Sequence, residues 1–512
     1  MLRRLFVAFL TTFVLTGCNQ AQPNQAIDRL KQCTGHDAPV DAYCGTVKVF
    51  EDRDTRQGRQ IDLNIVVLPA LRADAQPDPL FFLAGGPGQA AAGMAKQVRD
   101  MFRRVQTDRD IVLVDQRGTG KSNPLTCDLS DAEDDSLRAA MVSYEEVLGR
   151  VKACIDKYDA DLTQYATPIA MDDLDDVRAF LGYDKINIYG GSYGTRAGLV
   201  YMRQHGDRVR SAILDGVAPP DMRLPLFFPK DAQRAFDMLV KDCESNDGCR
   251  EAYPNLGPRM KALMERLEKE PPTVKITHPR TGETANIRVD ARMLANVMVF
   301  TLYIPTASAL VPAIIDAADR NDFQSMFALG SLGDGGGAQQ MAIGMQLSVL
   351  CAEDAPRNTP DALAREAEGT LFGNYAMKLQ SDACGFWPRG KVDPSFYEPV
   401  TSRVPTLVMS GEIDPVTPPA WGDQIAKTLS HSTHIVMPGT GHTAGGTGCG
   451  QRIMAAFIAS GTVDGLDTSC VSRVTRPPFF VSPAGPDPGV PPASNASGSA
   501  KAADKPAGQA PK

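Results

Sequence analysis

The sequence predicts an α/β protein: an eight-stranded, mostly parallel sheet with helices on both faces and a mostly helical insertion between its sixth and seventh strands. Three observations predict it. Short β-rich runs recur along the chain, and several later ones are continuous apolar stretches, the pattern of strands covered on both faces. Amphipathic helical segments lie between them. The alternation then lapses between about 221 and 395, where helical patterns dominate.

The strand-like runs are Thr46–Phe50, Ile61–Leu68, Leu80–Leu83, Ile111–Val114, Ile186–Tyr189, Ala212–Leu214, Thr406–Met409 and His434–Met437. Asp172–Leu181 carries acids in its first turn and Leu174, Val177 and Leu181 on one face, so it reads as a helix, as does Arg196–Gln204. In the insertion, Asp231–Val240, Pro258–Lys269, Ala291–Leu302 and Met341–Leu350 have helical spacing. The chain therefore divides into a first core part (36–220), a cap (221–395) and a second core part (396–473).

The two ends differ from this body. Arg3 and Arg4 precede the apolar run Leu5–Leu15, which is too short to span a bilayer and suits a signal peptide over 1–17. Leu15-Thr16-Gly17-Cys18 resembles a bacterial lipobox, in which Cys18 is lipidated. Asn19 rather than Asp after the cysteine favours the outer membrane by the same resemblance, with a soluble periplasmic or secreted form as the alternative. The expected membrane link is thus a lipid anchor followed by a polar tether (18–35). From 474 to 512 the chain turns to Pro, Ala, Gly and Ser and is expected to be disordered.

Of 11 cysteines, ten remain once Cys18 is set aside. They fall as close neighbours, and sequential pairing gives Cys33–Cys44, Cys127–Cys154, Cys243–Cys249, Cys351–Cys384 and Cys449–Cys470, although other connectivities stay open. Such bridges fit an oxidising compartment. No CxxC or HExxH spacing is present, so no metal site is expected.

The chemistry centres on Gly190-Gly191-Ser192-Tyr193-Gly194, a G-x-S-x-G run placed after an apolar strand and before a helix. That turn presents Ser192 as a nucleophile, which needs a base and an acid that orients the base. In the order Ser, acid, His, Asp414 follows the strand Thr406–Met409, and His442 follows a glycine turn after His434–Met437. Glu412 is the alternative acid. His434, His431 and His205 read as structural, and His36 and His278 lie outside any matching context. The glycine-rich turn Ala84-Gly85-Gly86-Pro87-Gly88 is expected to supply one oxyanion N–H from Gly86, with Gly85 or Gly88 as alternatives, and Tyr193 the other. Pro87 has no N–H to offer. Gly118-Thr119-Gly120-Lys121-Ser122 lacks the leading glycine of a phosphate loop, since position 115 is aspartate. Asp115 and Arg117 are expected to brace the glycine-rich loop, Arg117 through an ion pair.

The Gly-Gly-Pro-Gly turn, Asp115-Gln116-Arg117-Gly118-Thr119-Gly120, the serine elbow, Asp414-Pro415-Val416-Thr417-Pro418 and Gly441-His442 together resemble the proline iminopeptidase/tripeptidyl aminopeptidase family of α/β-hydrolases. The resemblance runs from about 40 to 470. Ala84 and Tyr193 stand where proline iminopeptidases usually have His and Trp, which points to the tripeptidyl aminopeptidase-like branch. It implies cleavage of short peptides near a free N-terminus without metal or cofactor. By the same resemblance, Glu353 and Asp354 in the cap are candidates to hold the substrate amine. An ester-cleaving acyl hydrolase with the same triad is the alternative. The formal net charge of -8 argues against nucleic acid as a partner, and nothing in the sequence calls for an oligomer.

Overall fold

A computed structural model describes residues 26–34, 39–127, 129, 137, 142–334, 341–482 and 484–486. Cys18, and with it the signal peptide and anchor, lies outside the described residues, as does His36.

The core is one nine-stranded sheet in the order β1-β2-β3-β5-β4-β6-β7-β10-β11. The strands are β1 (Lys31–Gln32), β2 (Tyr43–Phe50), β3 (Gln60–Leu68), β4 (Leu80–Leu83), β5 (Ile111–Val114), β6 (Ile186–Gly191), β7 (Val209–Asp215), β10 (Thr406–Gly411) and β11 (Ser432–Met437). The strands β1, β2, β3 and β5 pair antiparallel, and every later pairing is parallel. All eight runs expected from the sequence are strands. The ninth, β1, falls in the stretch expected to be a tether; Lys31 and Gln32 pair with Cys44 and Tyr43 at the sheet edge instead.

Strands β4, β5, β6 and β10 are buried along their whole length, which explains why apolar residues dominate them without alternating with exposed polar ones. Their side chains still alternate between two layers. Phe81, Ile188 and Leu214 join one core with Leu174 and Val177, while Phe82, Tyr189 and Ile213 join another with Phe457 and Ile458. The helix expected from Asp172 starts earlier, at Thr167, because Pro168 occupies its first turn; Gly182, at φ 83°, ends it.

The cap enters between β7 and β10, as expected. Its helices include Phe228–Ser245, Leu256–Lys269, Ala291–Tyr303, Ile343–Glu353 and Tyr375–Cys384. It also carries a hairpin, β8 (Thr273–Thr277) with β9 (Thr284–Arg288), whose Ile276 and Ile287 face a separate cap core. All five cysteine pairs form the expected disulfides.

The start of the tail departs from expectation. Phe479 is buried in the cap core, the Phe480 N–H donates to the Ala309 carbonyl, and Arg476 pairs with Asp242 at 2.8 Å. Two aromatic side chains and an arginine give this stretch enough to bury and bond, despite its prolines. It straps the end of the core to the cap.

Candidate active site

Strand β6 delivers Ser192 at its C-terminal end, and the helix Tyr193–His205 starts at the next residue. Ser192 has φ 58° and ψ −126°, a strained state for a residue with a side chain. Its surroundings hold it there: its N–H donates to the Asp215 carbonyl at 2.9 Å, and its carbonyl accepts from the Thr195 N–H and hydroxyl. The flanking glycines are obligatory. A Cβ on Gly190 would collide with the Gly194 carbonyl, and one on Gly194 with the Leu83 carbonyl.

Asp414 sits beyond β10, wholly buried, and His442 beyond β11. His442 Nδ1 lies 2.8 Å from Asp414 Oδ2. The Val416 and Thr417 N–H groups donate to Oδ1 at 2.9 Å each, and the Thr417 hydroxyl donates to Oδ2 at 2.7 Å. Burial would raise this carboxyl's pKa, but His442 and these donors hold it below its ordinary value. For His442 burial pulls downward, yet the Asp414 charge and hydrogen bond, helped by Asp215, keep the imidazole above its ordinary 6.5. The base is thus oriented and its protonated form stabilised, as proton transfer from a serine requires.

Glu412, the alternative acid, is engaged elsewhere. Its carboxylate accepts the Gly439 N–H at 2.8 Å and fixes the turn before His442. His434 spans Asp423 and Ser410, His205 pairs with Asp172, and His278 accepts turn N–H groups, so none of them meets the nucleophile.

The glycine-rich turn lies against the elbow, with Gly85 backed onto Ser192. The Gly85 N–H is taken by Gln89 Oε1 at 3.1 Å. The Gly86 N–H has no partner among the described residues, nor does the Tyr193 N–H at the first turn of its helix. Those are the two donors expected for the oxyanion. Asp115 ties the loop down by accepting the Ala92 N–H at 2.8 Å, while Arg117 is sealed inside the core against Asp173.

Glu353 and Asp354 require a correction. Both are wholly buried and pair with Arg196 of the nucleophile helix, at 3.1 and 2.9 Å. Glu353 also accepts the Thr167 N–H at 2.7 Å, and Asp354 the Leu224 N–H at 3.0 Å. Carboxylates without exposed surface, already paired with a buried guanidinium, have no surface to offer a substrate ammonium. They fasten the cap to the core instead.

Four further residues escape sequence reasoning. Thr417 braces the acid and lies 3.0 Å from His442 Nδ1; its place in the Asp-Pro-Val-Thr-Pro run is a usable signal. Asp215, at the end of β7, accepts the Ala444 and Gly445 N–H groups at 2.7 Å each and so fixes the loop after His442. Arg234 of the cap donates to the Glu412 and Asp414 carbonyls at 3.0 and 2.8 Å. It also lines an open cleft of about 510 Å³ that contains none of the triad. Tyr303, last in the helix Ala291–Tyr303, accepts the His442 N–H on its carbonyl at 2.9 Å and sets its ring edge-on to the imidazole at 4.7 Å. Position 441 must be glycine here, since a Cβ would strike the Tyr303 carbonyl.

Residues 78–253 match the α/β-hydrolase fold family, and residues 369–470 match the TAP-like protein family. The chain is 28% identical over 465 residues to the serine protease Hip1 of Mycobacterium tuberculosis, covering 84% of this chain and 88% of that one. It is 24% identical over 477 residues to the tripeptidyl aminopeptidase of Streptomyces lividans, covering 86% of each. It is also 26% identical over 460 residues to carboxylesterase B of Mycobacterium tuberculosis, covering 84% of this chain and 86% of that one. With the elbow, acid and base each following its expected strand, the chain is a serine hydrolase of the α/β-hydrolase fold that carries a TAP-like segment over residues 369–470.

Proposed function

We propose that the enzyme cleaves peptide bonds near the free N-terminus of short peptides, as a tripeptidyl- or prolyl-type aminopeptidase working through an acyl-enzyme. The observation that carries this reading is the pairing of the Ser192–His442–Asp414 arrangement with a cap bonded directly to it, in a chain similar to a tripeptidyl aminopeptidase along most of its length. Ser192 Oγ attacks the scissile carbonyl, and His442 takes its proton. The oxyanion is held by the Gly86 and Tyr193 N–H groups. The C–N bond then breaks as His442 passes the proton to the leaving amine, and water releases the acyl group by the same steps in reverse order.

The likeness to carboxylesterase B favours a second reading, an ester hydrolase with the same triad. Rates on a tripeptidyl anilide and on its N-acetylated form test the first reading. Acetylation should abolish cleavage; equal rates on the two, with faster turnover of simple esters, would favour the second.

The five disulfides support an oxidising compartment, and with the Leu15-Thr16-Gly17-Cys18 run they support a lipoprotein on the periplasmic side of the outer membrane. Labelling with a fatty acid in growing cells, lost in Cys18→Ser, would test it.

A further inference from the structure

The helix Ala291–Tyr303 ends directly above the catalytic base, and the residues around its last turn are unusual for a surface. Phe300 is 69% exposed and Ile304 55%, among few large apolar side chains that face solvent in the described residues. Phe300 packs its ring against Tyr303 at 5.9 Å, and Tyr303 in turn meets His442 at 4.7 Å. Phe300 is therefore continuous with the active site through Tyr303, and Ile304 follows that tyrosine directly in the chain. The Tyr303 hydroxyl makes no hydrogen bond inside the described chain.

The chemistry says which part of a substrate meets this edge. His442 must hand its proton to the leaving nitrogen, so the leaving portion of the substrate passes on the His442 side of the scissile bond. We infer that Phe300, Tyr303 and Ile304 form the subsite for the residue that follows the scissile bond, and that it selects an aromatic or large aliphatic side chain there. This rests on the peptidase reading for its substrate, though not for its geometry. An apolar side chain laid on Phe300 and Ile304 removes both surfaces from water, and an aromatic one can stack on Phe300. A charged side chain gains neither.

The test is a peptide series Ala-Ala-Ala-X-Gly with X as Phe, Leu, Gly or Asp, with kcat/KM measured for cleavage before X. Wild type should favour Phe and Leu over Gly and Asp. Phe300→Ser and Ile304→Ser should each lower the Phe-to-Gly ratio about 2- to 10-fold. Leu71→Ser, at an equally exposed apolar residue on the core, should leave the ratio unchanged. Thermal midpoints of all three variants would confirm folding. A wild-type ratio near one, or variants that keep the wild-type ratio, would overturn the subsite. If peptides are inert and only esters turn over, the peptidase reading fails and the subsite is tested with benzyl against methyl esters. A benzyl preference lost in Phe300→Ser then supports it, and one retained overturns it.

Discussion

The core braces its catalytic residues both from nearby in sequence and, through Asp215, from far along the chain, whereas the cap reaches the same residues by long-range contacts alone. Asp414 is braced by Val416 and Thr417, and Ser192 by Thr195. From the cap, Arg234 reaches Asp414 across 180 residues and Glu353 reaches Arg196 across 157. Tyr303 meets His442, and the Ala342 N–H meets the Gly88 carbonyl at 3.0 Å. The cap thus touches the nucleophile helix, the acid loop, the base and the oxyanion loop. The core supplies the reacting groups, and their alignment is shared between the two bodies.

Substitutions can separate these contributions. Ser192→Ala removes the reacting atom and should lower kcat by about 10⁶-fold, measured on the best anilide with the fold intact. Asp414→Asn should cost about 10⁴-fold. It should also move the acidic limb of the pH–rate profile. The base works only when neutral, and Asp414 holds the His442 pKa above 6.5, so wild-type activity should fall as pH drops through a value above 6.5. Without the carboxylate that limb should shift to lower pH. An unmoved limb would mean that another group titrates.

The joint between the two bodies should respond in stability first. Arg196→Met strands Glu353 and Asp354 as buried charges and should cost about 3–5 kcal/mol in denaturant unfolding. A neutral result with altered KM for free-amine substrates alone would restore these acids to the amine-binding role that the structure denies them. Phe479→Ala leaves a cavity where the strap enters the cap core and should cost about 3 kcal/mol. A loss below about 0.5 kcal/mol, typical of surface substitutions, would show that the strap only rests on the cap.

The contrast between near and far contacts also explains what is legible in the sequence. The strands are readable because β4, β5, β6 and β10 are buried on both faces and so are dominated by apolar residues. The triad is readable because each member follows a strand and a turn of recognisable chemistry. Glu353 and Asp354 mislead because their identity as acids is visible in sequence while Arg196, the partner that seals them, is not visible as one. The same holds for Phe479, whose aromatic ring stands in a proline-rich stretch that composition assigns to disorder. Tyr303 carries no signal at all, since it ends an ordinary apolar helix and acquires its position only when the cap folds back on the loop after β11.

The disulfides join this picture in a way that bears on opening and closing. Each spans only 6 to 33 residues, and each links two points within the core or two within the cap. Covalent reinforcement therefore stiffens two separate shells and leaves the seam between them to ion pairs, hydrogen bonds and a strap, all reversible. Disulfide formation can thus harden each shell of this enzyme without soldering its mouth shut.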